Sequence, residues 1–234
     1  MSSDLASKAH TALHQKEYES AIELYGQLCE LEEKQGFNLN SLQYLIDYAT
    51  ALFKNAIEKN DVFDRQQQQM LQSSEVYKEK YTLLDVDEDV DDFETAFDTL
   101  ERAKQIAADF NASPDVLGKI EQLLADICFE DSNFQQALES YLKCCDIYKN
   151  ANESQKLVYT YYYVAMVYEF ANSPSETMDG KDSSILPLNE MERILKAKEY
   201  IEMCLDTLKL LDDQDDQGLQ QDVEQKVIKI HVVD

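Results

Sequence analysis

The chain has 234 residues and a formal charge of −26, from 47 acids against 21 bases. So strong an acidic excess repels nucleic acid and anionic membranes, and it favours a basic partner or simply high solubility. Only five glycines and three prolines exclude a fold of many short strands and leave helices.

Residues 3–14 read as a first helix, with Leu5, Ala9, Ala12 and Leu13 on one side. The turn Gln15-Lys16-Glu17 leads into a second helix carrying Tyr18, Ala21, Tyr25 and Leu28, which stops near Gly36 in the left-handed conformation. Asn40-Ser41 is the N-cap pair for a third helix with Leu45, Tyr48, Ala49, Leu52 and Phe53. An acidic insert follows, spanning about 58–92, with eleven acids, four bases, a Gln run at 66–69 and the stretch Asp85, Asp87, Glu88, Asp89, Asp91 and Asp92. Its composition favours a mobile solvated loop, with Val76, Tyr77 and Tyr81 able to extend helix locally.

Regular helix resumes at Phe93, Ala96, Leu100, Ala103 and Ile106. Ser113-Pro114 then starts another helix, Ser at the N-cap and Pro at the first position. That helix carries Leu124, Ala125 and Cys128. After the turn Glu130-Asp131-Ser132-Asn133 comes a helix with Phe134, Ala137, Leu138, Tyr141, Cys144, Cys145 and Tyr148. The next pair begins near Glu153-Ser154 with Tyr159, Tyr161, Tyr162, Tyr163 and Ala165. A loop at about 172–189 separates it from Ile194, Ala197, Ile201 and Leu205. Beyond an acidic hinge at 212–216, Leu219, Val223, Val227 and Ile230 mark a last, partnerless helix, read as a cap over the open end of the array.

Alanines measure the repeat. Ala9 and Ala21 are 12 apart, as are Ala125 and Ala137; Ala49 and Ala96 are 47 apart, and Ala165 and Ala197 are 32 apart. A small residue in each of two antiparallel helices, with an aromatic three positions before the second, is the layout of a tetratricopeptide repeat (TPR). The expected fold is therefore all-α: a TPR-like helical repeat superhelix of four units over 1–211, the second interrupted by the insert and the fourth by the loop, then the hinge and capping helix over 212–234.

No enzyme motif is present. Gly at 26, 36, 118, 180 and 218 cannot form a phosphate loop. Asp85, Asp87 and Asp89 imitate the start of a calcium loop, but Val90 and Ala96 stand where Gly and Glu are required. His10 and His14 have a metal-like spacing without an acid or Cys at a zincin position, and read as surface side chains. No cofactor is expected. The cysteines (Cys29, Cys128, Cys144, Cys145 and Cys204) lack CxxC spacing, are odd in number and lie on apolar faces, so they read as reduced intracellular core residues. Without a signal peptide or long apolar run, the protein reads as soluble and not secreted.

In such an array the first helix of each unit lines the concave face. That register places His10 and His14 there from the first unit, and Gln43, Thr50 and Phe53 from the second. The third unit gives Lys119, Gln122, Asp126, Phe129 and Glu130; the fourth gives Tyr159, Tyr162, Met166, Glu169 and Phe170. Carboxylates among aromatic rings suit a basic amphipathic peptide. Tyr161 and Tyr168 read instead as core, and Asp126 and Glu130 are expected to face solvent in the free protein.

Four TPR-like units, an acidic segment splitting the second, and a lone helix after the fourth resemble the nuclear autoantigenic sperm protein (NASP, SHNi-TPR) family of histone chaperones. The likeness is carried by Ala51-Leu52-Phe53 through Asn60-Asp61-Val62-Phe63, by Phe93 through Lys104, and by Tyr161 through Tyr168. It implies binding of histones H3 and H4, including centromeric H3 variants, for nucleosome assembly in the nucleus and also the cytoplasm. It also implies that Asp126 and Glu130 are the acidic pair of the third repeat's histone-binding groove, with Tyr162 as a groove tyrosine of the fourth; Tyr159 departs from the acid that relatives carry. The insert is short beside the acid-rich tracts of relatives, and no basic import signal is present, so the chain reads as a trimmed or compact member that enters the nucleus with its cargo. The other reading is a TPR scaffold or co-chaperone for a different basic peptide. A clamp for acidic tails is disfavoured, because Ala6, His10, Asp126 and Glu130 stand where Lys, Arg or Asn would be needed.

Overall fold

The structure, a computed structural model, describes residues 2–73, 92–172 and 184–211. Among them are eight helices: α1 (Ser2–His14), α2 (Tyr18–Gln35), α3 (Leu39–Ser73), α4 (Asp92–Asp109), α5 (Pro114–Glu130), α6 (Phe134–Ala151), α7 (Ser154–Phe170) and α8 (Glu190–Leu210). They fall into two compact units, Met1–Phe110 and Asn111–Asp234. In the first, α1 packs on α2, α2 on α3 and α3 on α4; in the second, α5 packs on α6, α6 on α7 and α7 on α8. This is the all-α, TPR-like arrangement that the alanine spacing implies.

All eight spacing alanines (Ala9, Ala21, Ala49, Ala96, Ala125, Ala137, Ala165 and Ala197) are buried. Each presents only a methyl, the small volume that close approach of two helices requires. The larger volumes lie between these alanines: Tyr25, Leu28, Ile46 and Leu100 in the first unit, and Ile120, Leu124, Tyr141, Tyr148, Val158, Val164 and Val167 in the second. Each large aliphatic so buried contributes about 1.5–3 kcal/mol. The unit turns share a device as well. Lys16 (φ 61°) and Ser132 (φ 58°) both adopt the left-handed conformation, each seven residues after its early alanine.

Capping sets the helix boundaries of the second unit. Ser113 accepts from the Val116 N–H with Pro114 at the first position, as its sequence implies. Asn133 accepts from Gln136 N–H at 3.3 Å, and Asn189 forms a capping box with Glu192. The end of α7 is closed from outside: the buried Arg193 of α8 donates to the carbonyls of Tyr168 (3.2 Å) and Ala171. Only part of the expected loop at 172–189 is described, and its return limb is packed. Asn172 bridges to Ile185, Gln135 Nε2 donates to the Ile185 carbonyl at 2.8 Å, and Ile185 and Leu186 are buried.

Three expectations need correction. Gly36 does carry a positive φ of 89°, the side of backbone space that favours glycine, but its ψ of 125° lies outside the left-handed helical basin expected of the stop. Ser41 is not an N-cap: it is buried inside α3, and its hydroxyl donates to Glu32 of α2 at 2.6 Å while accepting from the Asn38 N–H. The loop expected from about residue 58 is helical as far as Ser73, because the chain has no Gly or Pro between 36 and 114 and Gln, Lys, Glu and Met favour helix. Asp85, Asp87, Glu88, Asp89 and Asp91, like the hinge and capping helix at 212–234, lie outside the described residues.

The cysteines are free; Cys29 is half-buried and the other four are buried. Burial is the main reason that the thiols of Cys29, Cys144, Cys145 and Cys204 are all pushed up to about 12. They are inert packing groups at neutral pH.

Candidate functional site

The expected groove residues Asp126, Phe129 and Glu130 sit on α5, and Tyr159, Tyr162, Met166 and Glu169 on α7, all in the second unit. Steps of three and four leave Asp126, Phe129 and Glu130 less buried than Ala125, Ile127 and Cys128, which face α6 and the core. Along α7 the same period leaves Tyr159, Glu169 and Phe170 exposed, with Tyr162, Tyr163 and Met166 half-buried.

Aromatic rings join the two helices. Phe129 meets Tyr163 at 6.5 Å between centroids and Phe170 at 6.0 Å, both edge to face, and Phe134 at 5.6 Å. Tyr163 stacks on Tyr141 of α6 at 5.6 Å with planes 10° apart, and Tyr162 meets Tyr163 edge-on at 5.7 Å. Contacts of this kind add about 0.5–1.5 kcal/mol beyond burial, so the wall is held before anything binds. Phe170 remains 52% exposed at its end.

Asp126 departs from expectation. It is half-buried, and its Oδ1 accepts a 2.6 Å hydrogen bond from the hydroxyl of Tyr141, a fully buried residue. The carboxylate therefore has a second task, satisfying a phenol that water cannot reach. Glu130, one turn on, is exposed as expected. The two phenols beside them register burial and the negative field together. Burial foremost, then the Asp126 charge, raises Tyr141 well above the ordinary phenol value; burial, then Asp126, Tyr162 and Glu130, raises Tyr163. A cation brought here meets fixed negative charge backed by rings.

Other expectations sort by burial. Tyr161 and Tyr168 are core, ringed with Tyr200 at 6.0 and 5.9 Å. Phe53, read as a lining residue, is instead buried against Phe93 at 6.1 Å. Asp92 is not a loop acid: it opens α4 and accepts from Asn55 (2.8 Å) and Lys59 (3.3 Å) within the first unit. Tyr163, Tyr141 and Phe134 also take part in this face, although the repeat register assigns none of them to a lining position. Tyr163 lay beside the lining positions in a run of three tyrosines, and a one-face template assigns such a neighbour to no face.

Among the described residues no helix is long and apolar enough to cross a membrane, and no group of three or more His, Cys, Asp or Glu is placed to hold a metal ion. Paired helices with buried alanines and an aromatic, acidic face define a TPR-like repeat protein. Within it, residues 120–155, from α5 through α6 to the start of α7, match the SHNi-TPR family model, so the NASP-type repeat read from the sequence is present in the chain. Solved structures agree on the fold. A structure described as a Podosopora anserina kinesin light chain with nearly identical TPR-like repeats aligns over 99% of this chain and 87% of its own, with a TM-score of 0.63 and 12% identity. The yeast histone chaperone Hif1, described as a scaffold protein recruiting protein complexes to core histones, aligns over 98% and 94%, with a TM-score of 0.61 and 17% identity. No curated protein sequence matches the chain.

Proposed function

We propose that this chain is an acidic histone chaperone. It binds histone H3, in H3–H4 or with a centromeric H3 variant in place of H3, and delivers it for nucleosome assembly, acting in the nucleus and also the cytoplasm. The observation that carries this reading is the α5–α7 face: Asp126 fixed by Tyr141, with Glu130 and Glu169, against the rings of Phe129, Tyr163 and Phe170. The SHNi-TPR match covers the α5 half of that face. Arg side chains of a histone helix or tail would pair with the carboxylates and lay their guanidinium planes on the rings. Tyr159, Tyr162 and Met166 give the apolar face of such a helix something to rest on. The acids at 85–92 supply a longer-range attraction that speeds encounter. Nothing in this role requires catalysis or a cofactor. A pull-down with purified H3–H4, and with the other core-histone pair as the control, at near-physiological salt tests it. Retention of H3–H4 well above the control pair is expected. Equal retention would favour a general scaffold for basic proteins, and no retention of either would refute the reading.

A further inference from the structure

We propose that His10 and His14 form a two-point chelate for a divalent transition-metal cation on the exposed face of α1. The spacing of one turn puts both rings on one side of the helix, and the structure adds a geometry that spacing alone does not give. The ring centroids are 4.3 Å apart with planes at 61°, and the two Nε2 atoms approach to 3.2 Å. A metal ion bonded to two imidazole nitrogens at about 2.0–2.1 Å holds those nitrogens about 3.3 Å apart at the tetrahedral angle. At the right angle of a tetragonal Ni2+ or Cu2+ site the span is about 2.9 Å. The observed separation lies between these, so one ion spans both nitrogens once a small rotation of the exposed rings aims both lone pairs at it.

The contact in the absence of metal is a single N–H···N hydrogen bond whose direction depends on tautomer. A metal replaces that shared proton when both rings present Nε2 as a lone pair, with Nδ1 carrying the hydrogen. Both residues are exposed, so the ion loses little solvation on arrival. The nearby Lys8 ammonium is paired to Asp4 at 3.0 Å, which offsets its repulsion of a dication. Two imidazoles fill two positions; the others stay open to water or to a donor from a bound partner. Soft, imidazole-seeking Zn2+, Ni2+ and Cu2+ suit this set, and Mg2+ and Ca2+ do not.

The test is calorimetric titration of the tag-free full chain with ZnCl2 and, separately, NiCl2 and CuCl2. Millimolar Mg2+ is included to occupy the many surface carboxylates. One saturable site per chain is expected, with Cu2+ the tightest. Affinity should fall at least tenfold in His10→Gln and in His14→Gln and vanish in the double variant, while His231→Gln, which changes the third histidine, should bind as the parent does. Nitrogen NMR of the imidazoles should show both Nε2 resonances shifting with Zn2+, and thermal melts of the apo-proteins should coincide. Undiminished uptake by the double variant, loss in His231→Gln alone, or no saturable one-to-one uptake by the parent would each overturn the proposal.

Discussion

Neutralising the acidic pair without disturbing the fold requires attention to Tyr141. Asp126→Lys would remove the acceptor of a buried hydroxyl, and leaving such a group unsatisfied costs about 1–3 kcal/mol. Charge reversal of Asp126 and Glu130, which a solvent-facing pair would tolerate, is therefore expected to weaken the protein as well as the site. Asp126→Asn keeps an oxygen within reach of the 2.6 Å bond and removes only the charge; Glu130→Gln does the same for the exposed neighbour. A half-buried, pre-oriented carboxylate should contribute about 1.5–3 kcal/mol to an Arg contact. The exposed Glu130 should contribute about 0.2–1 kcal/mol. Together these predict that the double variant binds H3–H4 roughly 20- to 1,000-fold more weakly. The assay is an equilibrium titration of labelled H3–H4 at moderate salt, where exposed charges at 85–92 are screened beyond about 8–10 Å. A folded Asp126→Asn, Glu130→Gln protein that binds with parental affinity would refute the reasoning.

Gly118 lies under Tyr148, and a Cβ there would stand 2.3 Å from that ring's Cε1. Gly118→Ala should therefore destabilise by about 1–2 kcal/mol despite its better helix propensity, seen as a lower urea midpoint; an unchanged or higher midpoint would show that the ring moves freely. Arg193→Met orphans the carbonyls of Tyr168 and Ala171 at the end of α7, and should cost about 2–4 kcal/mol, read by thermal or urea unfolding; a loss below the error of the melt would count against a capping role. In alkali the sign follows from the raised values. Cys144, Cys145, Cys204 and Tyr200 stand at about 12 when folded, against ordinary values of 9.0 for a thiol and 10.0 for a phenol. Their contribution is complete below the unfolded values and is lost as pH climbs from about 9 toward the folded ones. The urea midpoint should hold from pH 7 to about 8.5 and fall beyond about 9; a midpoint that rises above pH 9 would contradict the burial of these groups.

The repeat was legible because it rests on volume. An alanine at each helix crossing is a requirement of close approach, and all eight positions chosen on that ground are buried. Ser113-Pro114 was legible for a local reason, since cap chemistry involves neighbours three residues apart. What failed was non-local. Ser41 looks like a cap until Glu32, nine residues back on another helix, draws its hydroxyl inward. Asp126 looks like a surface acid until Tyr141 arrives from α6. Arg193 carries no sign in the sequence that it closes α7, because its partners are backbone carbonyls. Asp126, Phe129 and Glu130 on α5 and Phe170 on α7 could be read as one candidate face from spacing, whereas the parts of Tyr141 and Tyr163 in it depend on how α6 and α7 pack.

Placing a photoreactive benzoylphenylalanine at Phe170 would most directly test the central claim that the α5–α7 face receives histone H3. That side chain borders Phe129 and is 52% exposed, so the probe reports on the face without replacing a buried group. Irradiation with H3–H4 is expected to give a cross-link to H3, mapped by mass spectrometry and lost in the Asp126→Asn, Glu130→Gln background. Bound H3–H4 that gives no H3 cross-link from this position would place the histone elsewhere on the chain and contradict the account.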